Sequence, residues 1–320
     1  MFPYIVADIG GTNARFALVT GKNSGQYSIE HINILSGADY PTFSAAMQAY
    51  IESLEGVKPR AACVAIAGPI GGDQVKMTNL NWSFSKKQIQ AEFNFAAFDA
   101  INDFAAVAIA TSKLSSNDLV SIKKGEEIAN ANKAIIGPGT GLGVAGLVYG
   151  KGQWIPVPSE GGHVNIPPSS EFECEVIAAA IKRLGHVSAE SFISGPGLVN
   201  LYNAISDVKG EAAKALSPKD ITDTALDNSD STCHTTLETF CGFLGSVSGN
   251  LVLTYGAKGG VYLAGGILPR FVDFLRNSSF AEKFSSKGIM SAYVEDVPVN
   301  MIGYDQIAFL GAAAWLEQLQ

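Results

Sequence analysis

Positive charge is scarce in this sequence. Its 320 residues carry 22 Lys and Arg against 30 Asp and Glu, a net charge of −8 at pH 7. A chain with that balance gains no counterion-release affinity for polyanions, so neither nucleic acid nor a membrane surface is expected as a partner. Charge of either sign is thin, 16% against a usual ~25%. With 47% hydrophobic residues, this excludes a solvated, disordered chain. Cysteine is scarce too: Cys63, Cys174, Cys233 and Cys241 form no CxxC pair and no disulfide framework, which points to the reducing cytoplasm. Long apolar runs are also missing. The longest uncharged stretch, residues 239–257, is broken by four glycines and by Ser246, Ser248, Asn250 and Thr254, and reads as a buried core helix rather than a membrane span. The opening residues lack a basic region and reach a carboxylate at Asp8, so they do not read as a secretory signal.

Glycine is what the sequence has in excess, 34 residues against a usual ~7%. The glycines cluster beside apolar runs, where the backbone can approach a ligand closely. Residues 4–9 and 14–20 are β-prone and joined through Gly10-Gly11-Thr12-Asn13, a strand-turn-strand pattern, and 27–35 alternates like a third strand. Pro41 opens a helical spacing to about 54, and 61–67 is a short apolar strand stopped by Gly68-Pro69. A helix over 85–93, a buried strand over 95–101 and a helix from 104 follow. The opening then recurs: 133–137 and 143–149 are strands joined through Pro138-Gly139-Thr140-Gly141-Leu142, with a third strand beginning near 154. Helices are expected over 173–184, 196–205, 218–226 and 232–255, a strand over 261–264, a helix from Pro269, and a last helix over 305–319. Two halves that begin alike suggest a duplicated α/β unit with a cleft between the copies.

Each glycine turn is a candidate phosphate cradle. Gly10 and Gly11 let backbone N–H groups face a phosphate, while Thr12 and Asn13 add side-chain donors. Asp8 can hold a hydrated Mg²⁺ through water. An ordinary hairpin turn with a solvated Asp is the plainer alternative. In the second turn Gly141, Gly143 and Gly146 match a dinucleotide fingerprint, with Glu160 about 20 residues on. That fingerprint needs a helix next; Val144 to Tyr149 is β-prone instead, which excludes it. Gly265-Gly266 supplies a third backbone-lined position. Asp103 closes a buried strand and opens a helix; it is either a general base fixed at the floor of a cleft or, with Asn102, a helix cap. Ser159-Glu160-Gly161-Gly162-His163 sets a carboxylate beside an imidazole on a glycine turn, as a polyol needs; a metal site is the other option, but no third ligand stands at suitable spacing.

The segments DIGGTNAR at 8–15, IND at 101–103, GPGTGLG at 137–143, SEGGH at 159–163 and LAGGI at 263–267 together resemble the sugar kinases of the hexokinase, heat-shock-protein and actin ATPase superfamily. Within it, the chain is similar to the bacterial ATP-dependent glucokinases over nearly its whole length. The resemblance implies a two-lobed, duplicated ribonuclease-H-like (actin-like ATPase) α/β fold with a central cleft, a small domain of residues 1–107 and 302–320, and a large one of 108–301. It implies transfer of the γ-phosphoryl group of ATP, with Mg²⁺, to the 6-hydroxyl of D-glucose in the cytoplasm, by a homodimer.

In those terms Asp103 is the catalytic base, and Asn102, Asp103, Glu160, His163 and Glu190 hold the sugar. Asp8, Gly10, Gly11, Thr12, Asn13, Gly139, Thr140, Gly141, Gly265 and Gly266 line the nucleotide. Related repressors and N-acetylmannosamine kinases bind zinc through a Cys-rich motif; here only Cys174 lies nearby, so no zinc is expected. A kinase for mannose or fructose, a non-catalytic sugar sensor and an actin-like ATPase are the rival readings.

Overall fold

The computed structural model describes residues 2–68, 70–77 and 80–319. Pro69, expected to stop a strand, and the terminal residues Met1 and Gln320 of the expected small domain lie outside the described residues. The chain divides into two compact units, Met1–Asp118 with Trp154–Pro158 and Tyr304–Gln320, and Leu119–Gln153 with Ser159–Gly303.

The chain opens with three strands, β1 (Tyr4–Ile9), β2 (Asn13–Asn23) and β3 (Gln26–Ser36), then α1 (Phe43–Glu52) and β4 (Ala61–Ile66). A short hairpin, β5 (Gln74–Lys76) and β6 (Ser83–Ser85), precedes α2 (Lys86–Glu92), β7 (Ala97–Asn102) and α3 (Asp103–Ala110). Next come β8 (Leu119–Lys123), β9 (Lys133–Pro138), β10 (Leu142–Gly150) and β11 (Gln153–Ser159). Four helices follow: α4 (Glu171–Leu184), α5 (Gly195–Lys209), α6 (Pro218–Leu226) and α7 (Ser231–Tyr255). Then come β12 (Val261–Leu263), the short helices α8 (Val272–Asn277), α9 (Phe280–Ser285) and α10 (Ser291–Val294), and β13 (Val299–Ile302). The chain returns to the first unit with α11 (Ile307–Gln318).

The first sheet runs β3-β2-β1-β4-β7 and the second β11-β10-β9-β12-β13-β8. Each is built outward from a central strand: β1 pairs antiparallel with β2 and parallel with β4, and β9 pairs antiparallel with β10 and parallel with β12. The protein is therefore an α/β molecule whose halves open with the same strand order.

The continuous apolar runs of β1 and β4 follow from their position, because both faces of the sheet are covered. Alternate residues point to opposite faces. Ile5, Ala7 and Ile9 join Ala62, Val64 and Ile66 under α1, against Phe43, Met47 and Tyr50. Tyr4, Val6, Ala61, Cys63 and Ala65 face the other way, against Phe309, Ala312, Ala313 and Leu316 of α11. There α11 meets α3 backbone to backbone: a Cβ on Gly311 would lie 1.9 Å from the Ala106 carbonyl oxygen. Polar ties finish the docking of α11. Trp315 donates to Asp99 (2.8 Å), which also pairs with Lys86 (2.7 Å). Glu317 accepts from Tyr27 (2.5 Å), Lys22 and Lys113.

In the second unit α7 is the core helix. Asp230 caps it by accepting from the N–H groups of Thr232 and Cys233. Every residue from Phe240 to Gly249 is buried, so that part of the uncharged stretch 239–257 is core, while Leu253 and Thr254 near its end are exposed. Among the described residues no helix is long and apolar enough to cross a membrane.

Several boundaries differ from the sequence reading for local reasons. Pro41 does not begin α1; Thr42 caps it, accepting from the Ala45 N–H at 3.1 Å. The helix expected from Pro269 begins as a 3-10 turn, Leu268–Phe271, before α8. The helix expected from Phe104 begins one residue earlier, at Asp103.

Candidate active site

In the first unit the expected residues gather at the carboxyl ends of parallel strands, where open α/β sheets bind ligands. The register pairs Ile9 with Ile66 and Ile66 with Asn102, so the Gly10 turn, Gly68 and Asn102-Asp103 share one end of the sheet. In the turn itself the Gly10 N–H donates to the Asn13 carbonyl (3.0 Å) and Thr12 accepts from the Gly37 N–H (2.8 Å). The N–H groups of Gly11 and Thr12 have no hydrogen-bond partner among the described residues, and Thr12 and Asn13 are exposed. Two adjacent N–H groups without a partner are donors of the kind that an anion can take.

Asp8 stands opposite Arg15 in the β1–β2 register, with the guanidinium 3.5 Å from its carboxylate. Arg15 in turn lies over the Phe309 ring, 5.2 Å from its centroid. Burial pushes the Asp8 carboxyl above the ordinary range, and the Arg15 charge draws it back.

Asn102 is the cap of α3: its Oδ1 accepts from the Ala105 N–H (3.0 Å), while its Nδ2 donates to the Gly68 carbonyl (3.1 Å) and to Asp103 Oδ1 (3.0 Å). Asp103 is the first residue of that helix, and its Oδ1 also accepts from the Phe104 N–H (2.9 Å). The cap reading therefore holds for Asn102, whose amide already makes three hydrogen bonds. Asp103 is half-buried at the helix N-terminus, where the aligned peptide dipoles favour a carboxylate.

In the second unit three expected segments converge. The Gly139 N–H donates to the Gly141 carbonyl and the Gly139 carbonyl accepts from the Gly195 N–H, both at 2.8 Å, tying the turn to the start of α5. The Thr140 and Gly141 N–H groups have no partner among the described residues, as at Gly11 and Thr12. Gly265 adopts φ +90, and a Cβ there would lie 2.3 Å from the Pro138 carbonyl oxygen. Only glycine fits both the conformation and the contact.

Beside this turn lies a groove of about 270 Å³ lined by Gly139, Thr140 and Gly266, and by Leu198, Pro218, Thr222, Ile267 and Arg270. The last five were not anticipated. Ile267 closes the LAGGI segment; the other four come from α5, α6 and the 3-10 turn Leu268–Phe271, where no local motif distinguishes them from ordinary helix and turn residues.

The segment 159–164 is fastened to this turn. Ser159 Oγ donates to the Val144 carbonyl (2.9 Å), and the His163 N–H donates to the Glu160 carbonyl (3.0 Å). The loop holding Glu190 zips onto the same segment: the Ala189 N–H donates to Val164 and the Glu190 N–H to Gly162, each at 2.8 Å. Glu190 Oε1 lies 3.9 Å from His163 Nδ1, and Oε2 accepts from the Leu142 N–H at 2.7 Å. Glu160 and His163 are exposed. Among the described residues no cluster of three His, Cys, Asp or Glu could hold a metal ion.

The glucokinase family model matches residues 5–319. The chain belongs to the glucokinase family. It is 61% identical over 319 residues to the glucokinase of Saccharophagus degradans, covering 100% of this chain and 99% of that one. The glucokinase of Cronobacter sakazakii is 45% identical over 314 residues, 98% of this chain and 97% of its own. Among solved structures, the glucokinase of an Antarctic psychrotroph superposes with a TM-score of 0.94 at 42% identity, covering 99% of each chain. Glucokinase family membership thus agrees with the motifs that the fold gathers at the two glycine turns.

Proposed function

We propose that this protein transfers the γ-phosphoryl group of ATP to the 6-hydroxyl of D-glucose, giving ADP and glucose 6-phosphate. One observation supports this above the rest: Glu190 joins the Glu160–His163 segment to the Gly139–Gly141 turn, by one backbone and one side-chain hydrogen bond. A hydroxyl-binding carboxylate and imidazole fastened to a phosphate-type turn are what sugar phosphorylation requires. The relatives' printed names agree with that chemistry.

In this reading Asp103 takes the proton of the 6-hydroxyl as its oxygen bonds to the γ-phosphorus and the bond to the ADP oxygen breaks. Asn102, Glu160, His163 and Glu190 orient the sugar, with Asn102 also fixing Asp103 through the 3.0 Å contact between them. The N–H groups of Gly11, Thr12, Thr140 and Gly141 hold phosphate oxygens, and the groove beside Gly266 takes the adenosine. The ATP arrives with Mg²⁺, which shields phosphate charge. Asp8, a single carboxylate paired with Arg15, suits an ion that keeps most of its own water.

The same strand order in the two sheets supports the duplicated ribonuclease-H-like fold of the actin-like ATPases; its small domain of 1–107 and 302–320 and large one of 108–301 stand beside compact units that divide after Asp118 and Gly303. Cys63, Cys174, Cys233 and Cys241 are all free thiols, in keeping with work in the cytoplasm. The homodimer of the resemblance completes the reading. A coupled assay of ADP release across glucose, mannose and fructose tests it. Glucose is expected to give the highest kcat/KM; preference for another hexose, or no sugar-dependent ADP release, overturns it.

A further inference from the structure

The resemblance gives Glu190 one task, a hydrogen bond to the sugar. Its surroundings give it a second. The two carboxylate oxygens are differently employed: Oε1 faces His163 in the segment that carries the sugar residues, and Oε2 receives the Leu142 N–H of the glycine turn at 2.7 Å. Gly141 lies against that bond: a Cβ there would stand 2.5 Å from Glu190 Oε2, so a side chain at 141 would push the carboxylate aside. With the Gly139 N–H spent on Gly141 and the Leu142 N–H spent on Glu190, the donors left for an incoming oxygen are those of Thr140 and Gly141.

We propose that Glu190 is a positioning residue for the phosphoryl donor as well as a sugar contact, and that through the Leu142 N–H it couples the two substrates. The inference rests on reading the 139–141 turn as a phosphate cradle. Hydrogen bonds from sugar hydroxyls to Oε1 fix the rotation of the carboxylate, and that rotation decides whether Oε2 stays under Leu142. A carboxylate held there keeps the Thr140 and Gly141 N–H groups turned outward. Coupling of this kind is reciprocal: sugar tightens nucleotide binding by the same factor by which nucleotide tightens sugar binding.

The test is calorimetric titration of the full chain with MgADP in the absence of sugar, where a residue serving the sugar alone has no effect. Glu190→Ala removes the acceptor, and Glu190→Asp keeps the charge but shortens the reach. Both are expected to weaken MgADP binding about three- to tenfold, the worth of one hydrogen bond. Glu190→Gln retains an oxygen for the Leu142 N–H, so it is expected to restore MgADP affinity to within about twofold of wild type while still weakening glucose. Glu160→Gln, with no bond to the turn, is expected to shift glucose alone.

Gly139→Asp is the control on the underlying reading. A Cβ there meets nothing within 4 Å, so the variant sets a negative charge at the cradle without a backbone clash and is expected to lose MgADP. If Gly139→Asp loses MgADP while folded Glu190→Ala or Glu190→Asp binds it within about twofold of wild type, the second role of Glu190 is overturned and the cradle stands. If Gly139→Asp also binds normally, the cradle falls and the inference with it.

Discussion

Gly311 in α11 and Ala106 in α3 touch through their backbones: a methyl group on Gly311 would stand 1.9 Å from the Ala106 carbonyl oxygen. No rotamer change relieves such a contact, because the obstructing atom belongs to the main chain. Gly311→Ala is therefore expected to force the helices apart and destabilise the first unit by roughly 1–3 kcal/mol or more, the range for overpacked cores. Urea unfolding monitored by circular dichroism measures it; a variant as stable as the wild type would show that the two helices separate freely.

Asp103→Asn keeps the side chain's shape and its reach to the Asn102 amide and the Phe104 N–H, but removes its basicity. The expected result is a fall in kcat of about 10²–10⁴-fold, the usual worth of a positioned base, with glucose affinity changed far less. Steady-state kinetics beside glucose titration provides the check. Near-normal turnover would leave Asp103 with only its place in the first turn of α3.

Glu160→Gln and His163→Ala are expected to raise KM for glucose while leaving KM for ATP nearly constant. Neither residue hydrogen-bonds the glycine turn through its side chain, and each is exposed for a ligand to meet. The loss is roughly 1–3 kcal/mol of sugar binding, since hydroxyls desolvated on binding are left without a partner. Equal changes in both constants would contradict the division of labour.

Acid should loosen the α11 docking through Glu317. Burial disfavours its charged form, but hydrogen bonds from Lys22 and Tyr27 and the charge of Lys113 outweigh it and hold the carboxyl at about 2. A folded value below the unfolded one, ordinarily ~4.3, means that the stabilisation is complete above that value and is lost as pH falls toward 2. Glu317→Gln is expected to lower stability at pH 7 by no more than about 1 kcal/mol, the scale for partly exposed ion pairs. The gap between variant and wild type should close between about pH 4.5 and 2 in parallel denaturant titrations. A gap independent of pH would assign the effect to packing instead.

Much of this was legible because local signals and tertiary position agree. β1 and β4 are buried on both faces, so their apolar runs announced them, and α6 begins at Pro218 as the proline suggests. What escaped was what depends on partners distant in sequence. β13 is four residues long and exists because β12 and β8 flank it; the β5–β6 hairpin, three residues a strand, is equally short. At the site, the glycine turns and the Glu160–His163 segment carried their own chemistry in their composition. The groove residues Leu198, Pro218, Thr222 and Arg270 did not, because only the fold of the second unit brings α5 and α6 to the turn. The Glu190–Leu142 bond spans 48 positions, and no local pattern in the sequence announces it.

The docking of α11 also sets an order of events during synthesis. Tyr4, Val6, Ala61, Cys63 and Ala65 leave the ribosome long before their partners Phe309, Ala312, Ala313 and Leu316. Until α11 emerges, that face of the first sheet is covered only in part, by α3, while residues 159–303 of the second unit are already made. The unit that is begun first thus waits for a helix made after the second, and a chain interrupted before α11 would present part of that apolar face to the quality-control machinery of the cell.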